Sequence, residues 1–354
     1  MLCGCHPRYC ESLSIMKRRI VVAFTLSLFV LAVFVFLVGW EEVVMATARA
    51  SPAIFALAFL GTAWCLVARA FVWHEILAVV DTRRPYWLVG GVFLTAMFAK
   101  YVTPYGQVTS GVGVAAVVSR YYESAYEESL AGIVTADFLN YVPYYTFGGI
   151  GLAYVVLAGI SPVELGAYLP AVSVTVVLTI LLAVTLWRLR ARLRRGLTAI
   201  VSGGADALGL QVATPTRMVE RIDLQRRFEG FYLTLGLVSR HRRTVLLAAG
   251  FAHLAWLGLA AALFFSALAL GVDLALPLVM VCVALSKVGF VVPTPGGIGG
   301  VEIALAGVLF LLTPMGGVTA TAAAILYRFA TYWFTILIGG CTSIALTVID
   351  PTPP

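Results

Sequence analysis

Pro293-Thr294-Pro295-Gly296-Gly297-Ile298-Gly299-Gly300-Val301-Glu302 interrupts an apolar stretch that extends over residues 276–312. Proline fixes φ and lacks an N–H, and glycine tolerates backbone conformations closed to other residues. A run this rich in both ends one helix and starts another. The apolar arms on either side, residues 276–292 and 301–312, are each shorter than the roughly 20 residues a helix needs to cross a bilayer. A re-entrant hairpin, entering and leaving on the same side, satisfies both facts.

A second break of the same kind lies earlier. Residues 87–101 are apolar but short, stop at Thr103-Pro104-Tyr105-Gly106, and resume over 108–118. This predicts another hairpin, two short tilted spans being the alternative. Full spans are expected at 20–38, 52–76, 130–158, 168–187, 245–270 and 318–348. The expected fold is an all-α polytopic membrane protein with about six full spans and two re-entrant broken-helix hairpins arranged as inverted repeats.

Composition requires lipid as the solvent. The chain is 61% hydrophobic and 12% charged, with a mean hydropathy of +0.97. A soluble domain is about half apolar and one-quarter charged. The net charge of +7 is unevenly placed, since 12 of the 24 Lys and Arg fall within residues 188–243. Under the positive-inside rule this stretch is a cytoplasmic loop, so no nucleic-acid partner is needed to explain it. Lys17, Arg18 and Arg19 hold the start of the first span inside, and Arg83 and Arg84 follow the second. Both termini are then cytoplasmic, in a multi-pass protein of the cell membrane. The apolar spacing of Met218, Ile222, Phe228, Phe231 and Leu235 predicts a helix lying on the membrane surface or packed beneath the bundle.

Residues 1–16, with Cys3, Cys5, Cys10 and His6, read as a disordered leader rather than a metal site. Met16, just before the basic cluster, is an alternative start. Residues 17–350 form a single transmembrane domain with repeat cores at 86–158 and 276–348.

Shifting the sequence by 191 residues aligns the two breaks without a gap. Thr103, Pro104 and Gly106 fall on Thr294, Pro295 and Gly297; Phe138 and Tyr141 fall on Phe329 and Tyr332; Gly148 and Gly149 fall on Gly339 and Gly340. There are 10 identities over 47 positions, and they favour residues that force backbone geometry. Hairpins entering from opposite sides are the mark of inverted-topology repeats, which place a site near the midplane. One aligned pair, Asp137 and Arg328, carries opposite charge. A buried ion pair across the repeat and a charge site exposed in turn to each side both fit it.

The second half of a broken helix presents free N–H groups that attract anions. Thr294, Gly296, Gly297, Gly299 and Gly300 are expected to bring that turn close to a headgroup, with Pro104, Gly106, Pro293 and Pro295 shaping the two hairpins. Lys100, Lys287 and Arg328 are expected to engage phosphate, snorkelling being the other reading of the lysines. Glu302 and Asp137 would balance charge or carry protons, Glu302 also as a helix cap. His6, His74, His241 and His253 lack metal-ligand spacing, and His253 reads as a satisfied interior residue. No catalytic constellation, cofactor motif or metal site is evident.

The string from Pro293 to Glu302, with Tyr327-Arg328 downstream, resembles the lysylphosphatidylglycerol synthase transmembrane (flippase-like) family. The stretch Tyr101-Val102-Thr103-Pro104-Tyr105-Gly106-Gln107 with Ala136-Asp137-Phe138 is similar to archaeal members. Many relatives carry a Gly-Glu pair after the first hairpin, where this chain has Ser110-Gly111. The resemblance implies a lipid-translocating bundle acting on a phospholipid or polyprenyl phosphate. It also implies no aminoacyl-transferase activity, because the soluble domain for that reaction is missing. A membrane subunit or enzyme of a lipid-linked glycosylation pathway, with a glycosyltransferase as partner, is the alternative it implies.

Overall fold

The computed structural model describes residues 7–80, 83–103, 126–158, 233–234, 236–238, 240–292 and 294–349. The expected span at 168–187, most of the basic loop 188–243 and the turn bearing Pro104 and Gly106 lie outside the described residues, as does Pro293. Everything described is helix or short connection, with no strand among the described residues.

Helix α1 covers Pro7–Ala48, so it starts inside the stretch expected to be a disordered leader, and it kinks at Gly39 (φ 124°). Helix α2 covers Pro52–Val80, α3 Tyr86–Val102, α4 Tyr126–Leu157 and α5 Arg242–Ala269. Helix α6, Leu276–Ser286, runs into a 3₁₀ turn at Lys287–Val291, and α7 covers Gly300–Leu312. Helices α8 (Gly317–Arg328) and α9 (Phe334–Ile349) join through a π-helical turn, Phe329–Trp333. Among the described residues five helical segments are long and apolar enough to cross a membrane. The surface is apolar as the bilayer requires: Phe36, Leu37, Leu246 and Leu337 are all exposed. Buried hydroxyls donate one turn back along their own helix, as Thr62 does to Ala58 O and Ser266 to Ala262 O. No polar side chain is thereby left unpaired against hydrocarbon at these points.

Helices α2 and α5 pack antiparallel. The Ser51 N–H donates to Ala269 O at one end (2.8 Å), and the rings of Phe71 and Phe251 lie 4.1 Å apart towards the other. Glycine permits the approach between them. A Cβ on Gly61 would sit 2.7 Å from Gly258 O, and one on Gly258 would sit 2.5 Å from Gly61 O. Small residues at such crossings let backbones touch and maximise dispersion contact, the main attraction between helices in lipid.

The hairpin expected around Pro293–Glu302 is present. The 3₁₀ turn after α6 lies directly against the start of α7, so that a Cβ on Gly300 would meet Gly289 O at 2.3 Å. Residues 11 apart in sequence touch because the chain has turned back on itself. The α-helical parts of the two arms, 11 and 13 residues, each fall short of the ~30 Å hydrocarbon core at ~1.5 Å per residue; the second arm reaches span length only when counted from Pro295, as Pro295–Leu312.

The shift of 191 residues extends further than its identities. It carries Pro52–Val80 onto 243–271, Tyr86–Val102 onto 277–293 and Tyr126–Leu157 onto 317–348, which coincide within two residues with α5, α6 plus its 3₁₀ turn, and α8–α9. The packing is reciprocal. Helix α3 seats on α9 at Gly339, where a Cβ would meet Leu94 O at 2.6 Å. Helix α6 seats on α4 at Gly148 and Gly151, where Cβ atoms would meet Ala284 Cβ at 3.2 Å and Pro277 O at 2.5 Å. The aligned pair Gly148 and Gly339 thus does the same work in each half.

Gly300→Ala should therefore disrupt the hairpin, with a destabilisation at or above the ~1–3 kcal/mol of overpacking, because backbone and not a flexible side chain blocks the new methyl. Gly307→Ala, on the same helix with open space around it, should be neutral. Thermal unfolding of the two variants in detergent checks the contrast.

Candidate functional site

Six charged side chains from six elements converge inside the bundle. Arg69 comes from α2, Lys100 from the last turn of α3, Asp137 from α4, Lys287 from the 3₁₀ turn after α6, Glu302 from α7 and Arg328 from α8. Two ion pairs neutralise four of them.

The first pair closes the broken helix. Glu302 sits at the third residue of α7 and its Oε2 accepts the Gly299 N–H (2.9 Å), the capping role expected of it. Its Oε1 accepts Arg328 Nε–H (3.0 Å), while Arg328 Nη2–H donates to Gly296 O (2.7 Å). Both side chains are buried. The Arg328 guanidinium also lies over the Tyr332 ring at 4.4 Å, and the Tyr332 hydroxyl donates to Tyr101 O (3.2 Å). Arg328 is thus held by the hairpin tip and in turn holds it. The π-helical turn that begins at the next residue widens α8 at this point, a feature that often accompanies functional sites.

The second pair is Lys100 and Asp137, joined by Lys100 Nζ–H to Asp137 Oδ2. Trp73 Nε1–H donates to Asp137 Oδ1 (3.3 Å), and Lys100 lies 5.7 Å from the Trp73 ring. This corrects two expectations. Asp137 and Arg328 do not pair across the repeat, because each has a nearer partner in its own half. Lys100 does not snorkel either: it is buried.

The glycines of the hairpin face protein. A Cβ on Gly296 would lie 2.0 Å from the Tyr332 ring, one on Gly297 2.7 Å from Val301 Cγ2, and one on Gly300 2.3 Å from Gly289 O. Gly299 is the loosest, 3.4 Å from Val30 Cγ1 of α1. Gly296, Gly297 and Gly299 have positive φ, which explains why glycine is required there. Thr294 Oγ1–H spans the turn to Ile298 O (2.9 Å), and Pro295 is buried within it. These residues, expected to meet a headgroup, build a turn that packs against protein.

The other two cations, Arg69 and Lys287, have no carboxylate at salt-bridge distance among the described residues. Lys287 lies over the rings of Trp256 (5.7 Å) and Phe290 (5.5 Å), and no described residue pairs with it. Arg69 lies 6.0 Å from the Phe93 ring, and its buried Nε has no hydrogen-bond partner among the described residues. Lys287 is within electrostatic range of both Arg69 and Arg328. Tyr327 is 1% exposed, its hydroxyl has no partner among the described residues, and it shares Cys65 and Tyr101 as neighbours with Arg69. The amide of buried Asn140 is also without a partner among the described residues. His253, by contrast, is satisfied through Ala249 O and Thr146 Oγ1.

Arg69, Tyr327 and Asn140 were not among the residues expected from sequence. The signal for Arg69 was present, since a lone arginine inside an apolar span is a functional-site candidate by default. Tyr327 and Asn140 carried no comparable mark.

A family model for the lysylphosphatidylglycerol synthase TM region matches residues 20–339. The chain belongs to this family. No curated protein matches it. The family match encloses all six charged residues and places this multi-pass membrane protein in lipid-related function. A separate cleft of about 320 Å³ between α2, α3 and α9 is lined by apolar groups of Leu66, Val67, Ala70, Gly91, Leu94 and Ile338.

Arg328→Ala should lower thermal stability by ~3–5 kcal/mol, the cost of leaving Glu302 buried without its partner. Adding Glu302→Gln should recover part of it, because the stranded charge is gone. Unfolding of the single and double variants in detergent measures the coupling, and additive losses would exclude a pair.

Proposed function

We propose that this member of the lysylphosphatidylglycerol synthase TM-region family is a carrier, not an enzyme, moving an anionic lipid between leaflets by alternating access around two hairpins. The observation that carries the reading is an interior cluster of charged side chains at a broken helix, with more positive than negative charge among the described residues. The headgroup engages that cluster and the hydrocarbon chain stays in the apolar cleft between α2, α3 and α9.

Inverted topology is supported by the packing of α2 on α5. These two helices correspond under the repeat and run antiparallel. Two equivalent antiparallel spans are related by an axis perpendicular to both, which lies in the membrane plane. Such an arrangement suits a site exposed alternately to each side. The moving surfaces are the reciprocal seats of α3 on α9 and of α6 on α4, with the Arg328–Glu302 pair keeping the second hairpin intact as a rigid piece. The uneven charge distribution supports a topology with both termini on the cytoplasmic side of the cell membrane.

Vesicles holding the purified protein should exchange fluorescent anionic lipids between leaflets faster than protein-free vesicles. A Gly148→Cys/Ala284→Cys variant, with the other cysteines replaced, should cross-link, since the Cβ positions lie 3.2 Å apart. Cross-linking should arrest exchange and reductant should restore it. Exchange at full rate in the cross-linked protein would exclude motion at this seat, and no exchange in any folded form would exclude the carrier.

A further inference from the structure

The charge count of the interior cluster, taken over the described residues, points to a narrower ligand than an anionic lipid in general. We infer that Arg69 and Lys287 form a binding site for a doubly charged phosphomonoester headgroup. The inference rests on the proposed carrier function for the source of the ligand, a lipid, but not for the charge of the site.

Among the described residues four cations and two carboxylates meet in this cluster. Arg328 is bound to Glu302 and the hairpin carbonyl, and Lys100 to Asp137. Asp137 also lies within range of Arg69, but its oxygens already accept from Lys100 and Trp73. Arg69 and Lys287 are therefore the two surplus charges among the described residues. They come from α2 and from the hairpin, elements far apart in sequence, and are brought within electrostatic range of each other. Like charges held together in a low-dielectric interior repel each other and forfeit hydration, so this is an arrangement that an anion stabilises.

The hydrogen-bonding capacity matches as well. A phosphomonoester near pH 7 carries almost two charges and three strong acceptor oxygens. The Arg69 guanidinium presents a planar fork with its Nε unused, Lys287 has up to three donors, and the Tyr327 hydroxyl, fully buried without a partner among the described residues, is a further donor. A phosphodiester has one charge and two free oxygens. It would leave one cation uncompensated and at least one donor unmet. Zwitterionic headgroups, which add a positive charge, fit worse still. A lipid phosphomonoester fills all these requirements, whatever its hydrocarbon.

Competition binding to the purified full-length protein in detergent tests the site, using short-chain phosphatidic acid as monoester, short-chain phosphatidylglycerol as diester, and inorganic phosphate. The wild type should prefer the monoester by roughly tenfold or more, the order expected for one uncompensated buried charge. Arg69→Gln and Lys287→Gln should each reduce the preference, and the double variant should bind the two lipids about equally. Arg69→Lys, which keeps the charge, should retain most of the preference. Equal wild-type affinities would overturn the inference even where the glutamine variants fail to fold, and so would a preference that survives in the folded double variant. Inorganic phosphate competing as strongly as the lipid would overturn the lipid as its source. Exchange of diester lipids without monoester preference would leave the carrier standing and remove this site. Monoester selectivity without exchange would do the reverse.

Discussion

Inside a bilayer a broken helix exposes backbone groups that only protein can satisfy, and here one ion pair meets that demand. Glu302 takes the Gly299 N–H at the start of α7, and Arg328 takes both Glu302 and the Gly296 carbonyl. Neither residue would be stable in this position alone. Together they let a chain carrying two prolines and four glycines hold a turn within the membrane-embedded core. Tyr332 fills the space that the missing Gly296 side chain leaves, and its hydroxyl reaches Tyr101 at the end of α3. The hairpin is thereby tied to the end of α3.

That arrangement divides the interior charges of the described residues in two. Two cations are salt-bridged to carboxylates. The other two, Arg69 and Lys287, lie against aromatic rings with no salt-bridged anion among the described residues. Cation–π contacts stabilise a charge by a modest amount compared with a carboxylate, which is why the proposed ligand is placed there. In the proposed carrier the glycine-lined seats would supply surfaces that touch through backbone and small side chains and can part without unpicking interlocked large ones.

The repeat was legible from a handful of identities because Pro and Gly occur where geometry leaves no choice. The roles of individual charged residues were not. Asp137 and Arg328 are aligned and opposite in sign, which made a pair across the repeat reasonable. Yet the partner of Asp137 comes from the arm preceding the break in its half, and the partner of Arg328 from the arm following it. Two halves with the same fold need not neutralise their charges by symmetric means. The hairpin glycines misled in a similar way. Their freedom is used to admit Tyr332, Val301 and Gly289, not a headgroup.

The sequence by itself determined that this is a helical, multi-pass membrane protein with an interrupted segment at residues 293–302. Hydropathy, span length and the conformational limits of proline and glycine are local properties, and a single sequence displays them in full. Tertiary structure alone decided which charges cancel. Residues 69, 287 and 327 belong to elements separated by up to about 260 positions, and the interior of a membrane, where a charge has no water to fall back on, makes their meeting consequential. Whether a buried cation is framework or binding site depends on the distance to the nearest carboxylate, and that distance is set only when the helices pack.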